Sequence, residues 1–205
     1  MAMAARGVVW VLTTTLGLAI GGFIFHFPGS FGEVDEWDLT ATIFGLLIGF
    51  VSGVVVGLTQ WAGLLLPRRE GIRLLLWMGV GIGITHALHD GGPDSLTRVG
   101  VSAVSGLVMA TTYVWAIRDR RPVPAVVVGV AWAVALFVAN EATNRMGLPW
   151  EDTPVGWSTD HMFNGLIAGP IFGIATAFTG IPERLRQPAE PTGAADADAT
   201  AAAVA

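Results

Sequence analysis

Apolar runs of about 20 residues follow one another along this chain, separated by short polar segments. Runs of that length match the hydrocarbon thickness of a bilayer, which predicts membrane-crossing helices rather than a soluble fold. Six spans are read: Val8 to Phe27, Thr40 to Leu66, Ile72 to His89, Val99 to Ile117, Pro122 to Asn140 and Met162 to Ile181. The first also resembles the charged and apolar regions of a signal peptide. Its run is long, however, and no Ala-x-Ala site follows before Pro28, so it is read as a retained span. The fold class expected is all-α: a polytopic membrane helix bundle of six transmembrane helices over residues 1–186. Residues 187–205 are rich in Pro, Ala, Thr and Asp, have no apolar period, and read as a disordered cytoplasmic tail.

Within the spans, small residues recur every fourth position. Gly45, Gly49, Gly53 and Gly57 line one face of the second span, and Gly165, Gly169 and Gly173, followed by Ala177, line one face of the sixth. Ser102, Gly106 and Ala110 repeat the spacing in the fourth. A face without side chains lets another helix approach closely, so these positions are expected at helix contacts, within the chain or in a homo- or hetero-oligomer. "GLLIGFVSG" aligns with "GLIAGPIFG", and "SAVSGLVMA" shares the spacing. Three helical hairpins in parallel repeat, each giving one small face to a central contact, would produce this pattern. Independent convergence on a common membrane-helix spacing is the alternative.

Arginine placement orients the chain. Arg6, Arg68, Arg69, Arg73, Arg118, Arg120, Arg121, Arg184 and Arg186 fall at one set of span ends, and Arg98 and Arg145 at the other. The positive-inside rule puts the first set in the cytoplasm, giving a multi-pass protein of the inner or plasma membrane with both termini cytoplasmic. Trp37, Trp150 and Trp157 on the outer side and Trp10, Trp61, Trp77 and Trp115 on the inner side read as interfacial belts, and mid-span Trp132 as packing.

Composition removes several chemistries. Only 13% of residues are charged, against about 25% in soluble chains. Cysteine is absent, which excludes disulfides, thiolate metal ligands and thiol catalysis. All eleven basic residues are arginine, so no Schiff base to retinal or pyridoxal can form. A net charge of -5 argues against nucleic acid as a partner, leaving the lipid bilayer as the expected one.

The candidate chemistry lies at one depth. His26 ends the first span, His86, His89 and Asp90 end the third, Glu141 follows the fifth, and His161 opens the sixth. Ionisable groups there are functional candidates, because leaving them unpaired against lipid is expensive. His86 with Asp90 and His86 with His89 stand one turn apart and can share a face. Two imidazoles and a carboxylate suit a divalent metal, so His86, His89 and Asp90 are candidate ligands, with no third ligand fixed by a known motif. The same groups can serve protons or ions, or pair with one another, the carboxylate fixing an imidazole tautomer. Glu141 and Arg145 are placed to pair at i and i+4. Acidic residues between the spans make the outer face negative, which attracts cations.

"GLTQWAGLLLPRR", Gly57 to Arg69, resembles a pattern of small uncharacterised bacterial multi-pass membrane proteins, in which a glycine-rich span runs into Gly-x-x-Gln-Trp before a basic inner loop. The resemblance implies a membrane location and carries no activity. Three functions stay open on these grounds. One is a small transporter, channel or membrane-complex subunit handling a cation or proton from the outer face, without resident cofactor. Another is a metal-binding membrane enzyme centred on the outer histidines. The third is a structural or assembly protein; no catalytic motif favours an enzyme.

Overall fold

The computed structural model describes residues 3–26, 39–88, 95–117, 121–146 and 154–185. These form six long helices, α1 (Met3–His26), α2 (Leu39–Leu64), α3 (Arg68–Ala87), α4 (Ser95–Ile117), α5 (Pro122–Met146) and α6 (Pro154–Ala177), and a final turn, α7 (Ile181–Arg184). Several helices outrun their apolar stretches: α5 passes Asn140 to reach Met146, and α6 begins at Pro154 rather than Met162. An apolar run marks where lipid surrounds a helix, whereas hydrogen bonding carries the helix on into polar sequence.

The protein is a multi-pass, all-α membrane protein. Four helical stretches are long and apolar enough to cross a bilayer: Ala4–Ile24, Thr42–Leu64, Val99–Ile117 and Pro122–Met146. The outside of the molecule is apolar along whole helix faces. Val8, Leu12 and Leu16 are exposed in one stripe of α1, and Val126, Val130 and Val134 in one stripe of α5. A soluble domain places such stripes inward; here they meet lipid. α3 and α6 are less apolar because α3 opens with Arg68, Arg69, Glu70 and Arg73, and α6 carries Asp160, His161 and Asn164.

Each long helix packs on its neighbours in chain order, and α6 returns to α1, closing a ring. Neighbours run antiparallel, as short connections require. On α1 and α6, for example, Gly22 meets the His161 carbonyl, Gly165 meets Leu18, and Gly173 meets Val11 at 3.0 Å. The small faces do not converge on one central contact. Each seats on the next helix of the ring instead. A methyl at Gly45 would stand 3.1 Å from the His86 carbonyl oxygen, and at Gly49 3.0 Å from that of Ile82, while at Gly53 it would overlap the Met78 carbonyl and at Gly57 it would lie 3.0 Å from Leu75 Cα. The α6 face, with Gly169 against Thr15, seats on α1, and Gly106 of α4 meets Gly129 of α5. The physical reason is coverage: a ring six helices round leaves no shared axis for three backbones to touch, but offers a tight seam between each adjacent pair. The faces carrying Gly45 to Gly57 and Gly165 to Gly173 are thus engaged within the chain.

Hydrogen bonds cross the seams where hydroxyls and indoles face protein. Gln60 Nε2 donates to Thr14 Oγ1 at 2.7 Å, Ser52 Oγ to the Gly21 carbonyl at 2.8 Å, and Thr59 Oγ1 to the Thr13 carbonyl at 2.9 Å. Two tryptophans depart from the expected interfacial belt. Trp10 and Trp77 are fully buried, with Trp10 Nε1 donating to Thr176 Oγ1 at 2.8 Å and Trp77 Nε1 to the Met109 carbonyl at 3.2 Å. Each indole N–H found an internal acceptor, which removes the reason to seek the interface. Trp115, 57% exposed, does sit at the surface.

Candidate functional site

The inside of the ring divides into two parts. Midway and toward the end that carries the arginines, Trp77, Tyr113, Phe172 and Trp132 from α3, α4, α6 and α5 fill it. Trp77 meets Tyr113 edge-on at 5.0 Å between centroids, Phe172 lies 6.3 Å from Trp77, and Trp132 meets Phe172 edge-on at 5.2 Å. All four rings are at most 2% exposed. Toward the opposite end, which carries the histidines, a cavity of about 90 Å³ opens, with lining residues from all six long helices. A water's share of liquid is about 30 Å³, so this space takes about three waters or a solute of that size.

His86 of α3 and His161 of α6 both line the cavity, with Asn140 of α5 and Asn164 of α6. Gly45 and Gly49 let α2 press closely against α3 at His86. His86 Nδ1 lies 2.9 Å from the Ile82 carbonyl oxygen. A carbonyl only accepts, so Nδ1 carries the hydrogen in this contact. Asn164 Oδ1 accepts from Thr143 Oγ1 at 2.9 Å, tying α6 to α5 at this level.

The floor holds two donors with no protein partner: Trp132 Nε1 and Ser105 Oγ, both buried and both on side chains lining the cavity. Other buried hydroxyls are satisfied by backbone carbonyls: Thr85, Thr112 and Thr176 each donate to the carbonyl one turn back, and Ser52 to that of Gly21 on α1. A buried polar group without a partner costs about 1–3 kcal/mol. Trp132, which the sequence suggested as packing, therefore presents two faces: a ring edge on Phe172 and an indole nitrogen for which the described residues supply no acceptor.

The other candidates are placed as follows. Glu141 is half-buried and pairs with the exposed Arg145 at 3.6 Å; it does not line the cavity. His26 ends α1, with its side chain outside the described residues, and His89 and Asp90 lie wholly outside them. Among the described residues no group of three or more His, Cys, Asp or Glu side chains is placed to hold a metal ion. Asn164, Ser105 and Ser52 are lining residues that a search for ionisable groups passes over. Their trace in the sequence is a polar residue three positions from another on the same helix: His161 with Asn164, and Ser102 with Ser105. That spacing places both on one face.

Comparison with protein-family models, with curated proteins and with solved structures finds no match. The reading of function therefore rests on the cavity itself.

Proposed function

We propose that this protein is a small transporter-type membrane protein that takes a proton, together with a small polar solute, from the outer face. The observation that carries the reading is the cavity between the six helices: lined by His86, His161, Asn140 and Asn164, and closed toward the other side by Trp77, Tyr113, Phe172 and Trp132. A closed aromatic layer favours one-sided binding with alternating access over a standing channel. Imidazoles are the groups that exchange protons near neutral pH. No described lining residue is acidic, which favours a proton over a metal cation as the charge handled there.

The reading places six helices across a cell membrane with both termini cytoplasmic. Arginine bias supports the orientation. The ring supports the number, since α3 lies between α2 and α4 and α6 between α5 and α1. Their polar residues cost little where they face the cavity or the aqueous ends rather than lipid. A parallel repeat of three hairpins is supported by the seams, because α2 on α3, α4 on α5 and α6 on α1 are related by a step of two helices round the ring.

The absence of native cysteine makes the test direct. Single cysteines at Asn140 and Ser102 should react with a membrane-impermeant maleimide added to intact cells. A cysteine at Thr176, beyond the aromatic layer, should react far more slowly. Equal labelling at all three positions, or none at Asn140 and Ser102, would remove the outward-open cavity.

A further inference from the structure

The two unpartnered groups at the cavity floor say something about what enters. Trp132 Nε1 is a donor and cannot accept, and Ser105 Oγ adds a second hydroxyl donor. A cation has nothing to offer the indole N–H. An oxygen with lone pairs does. The amide of Asn164, on the α6 wall, and that of Asn140 supply further N–H groups at the same level. Across the cavity stand two imidazoles, each a donor with full positive charge once protonated.

We infer that the solute is a small carboxylate, its oxygens received by Trp132 Nε1 and Ser105 Oγ and its charge met by a proton on His86 or His161. This rests on the reading of the cavity as an outward-open, proton-handling site. The charge balance favours it. One carboxylate and one proton enter together, so the net charge taken up is zero and the negative outer segments do not oppose entry. A paired charge is also far cheaper than a lone ion at this depth. The described groups around the site agree. Among the described residues, α1, α2 and α4 bring no titratable side chain to the cavity; α3 brings His86 and α6 His161. Glu141, paired with Arg145 at 3.6 Å, and Asp160 lie near the same end but do not line it. The volume of about 90 Å³ suits a solute of two or three carbons.

Acetate is the probe, with acetamide as its uncharged counterpart of equal size. Calorimetry on the full chain in lipid nanodiscs should show acetate binding about tenfold or more tighter at pH 5.5 than at pH 7.5, since binding takes up a proton. Acetamide should bind weakly at both pH values. Trp132→Phe keeps an aromatic ring against Phe172 and removes the donor, so acetate affinity should fall about tenfold, and His86→Ala with His161→Ala should abolish the pH dependence. Labelling of a cysteine at Asn140 in each variant verifies that the cavity has formed. Acetamide binding as well as acetate, Trp132→Phe binding acetate like the parent, or no acetate binding by protein whose cavity labels from outside each overturns the carboxylate. The last result leaves the outward-open cavity standing, whereas failure of the labelling itself sinks both.

Discussion

Buried polar side chains in this protein do two different jobs, and the difference is whether the chain completes their hydrogen bonds. Trp10 and Thr176 complete each other across the α1–α6 seam at 2.8 Å, and Thr176 in turn donates to the Phe172 carbonyl at 2.7 Å. Gln60 Nε2 donates to Thr14 between α2 and α1, although the Gln60 Oε1 has no partner among the described residues. The Gln-Trp pair of the second span is thus explained by local architecture. Gln60 bridges to α1, while Trp61 Nε1 donates to the Leu66 carbonyl at 2.8 Å and covers Gly71, fixing the tight turn at Leu65, where φ is 52°. Trp132 and Ser105 are the contrasting pair, buried but incomplete. Interhelical hydrogen bonds in membranes are worth about 0.6 kcal/mol on average. Replacing Thr176 by valine should therefore lower stability by about that amount in a detergent unfolding titration. It should leave labelling at Asn140 unchanged, because the lost bond lies on the far side of the aromatic layer.

At the scale of the helix pair, stability is set by how closely backbones approach. Gly53 faces the Met78 carbonyl with no room for a methyl, and Gly169 faces Thr15 in the same way. Gly53→Leu or Gly169→Leu should cost at least the roughly 1–3 kcal/mol typical of overpacking, a large fraction of the net stability of a folded chain, and folded yield should drop. Leu107→Ala, at a position 68% exposed on the lipid side, is the control and should change yield little. Equal yields across the three variants would show that the seams are not the sites of constraint. The four-residue spacing that marks these glycines was legible in the sequence. Their partner was not, because a small face states only that something comes close. Which helix comes close depends on the order in which the ring closes.

For the whole molecule, the ring with one polar end and one sealed end ties sidedness to function. A reporter active only in the cytoplasm should work when fused before Arg6 or after Arg186. One that folds only outside should work at Glu36 or Asp152. A terminus found outside would reverse the sidedness proposed for the cavity, and with it the proposed source of the solute. What the amino-acid order determined by itself is the membrane class, the place of the apolar runs and the end of the helices at which the polar groups lie. Each follows from local quantities: apolar run length against bilayer thickness, arginine bias at the ends, and the cost of charge in lipid. The depth of His86 and His161 was readable in this way, but their meeting was not, since they stand on helices that do not neighbour each other in the chain. Only the closed ring brought α3 and α6 to one cavity, turned Asn164 and Ser105 toward it, and drew Trp10 and Trp77 away from the interface into the interior. The physical reason is that a helix's inward face is chosen by its neighbours. Hydropathy separates lipid from water along the chain, but does not distinguish a face that meets protein from one that lines an internal space.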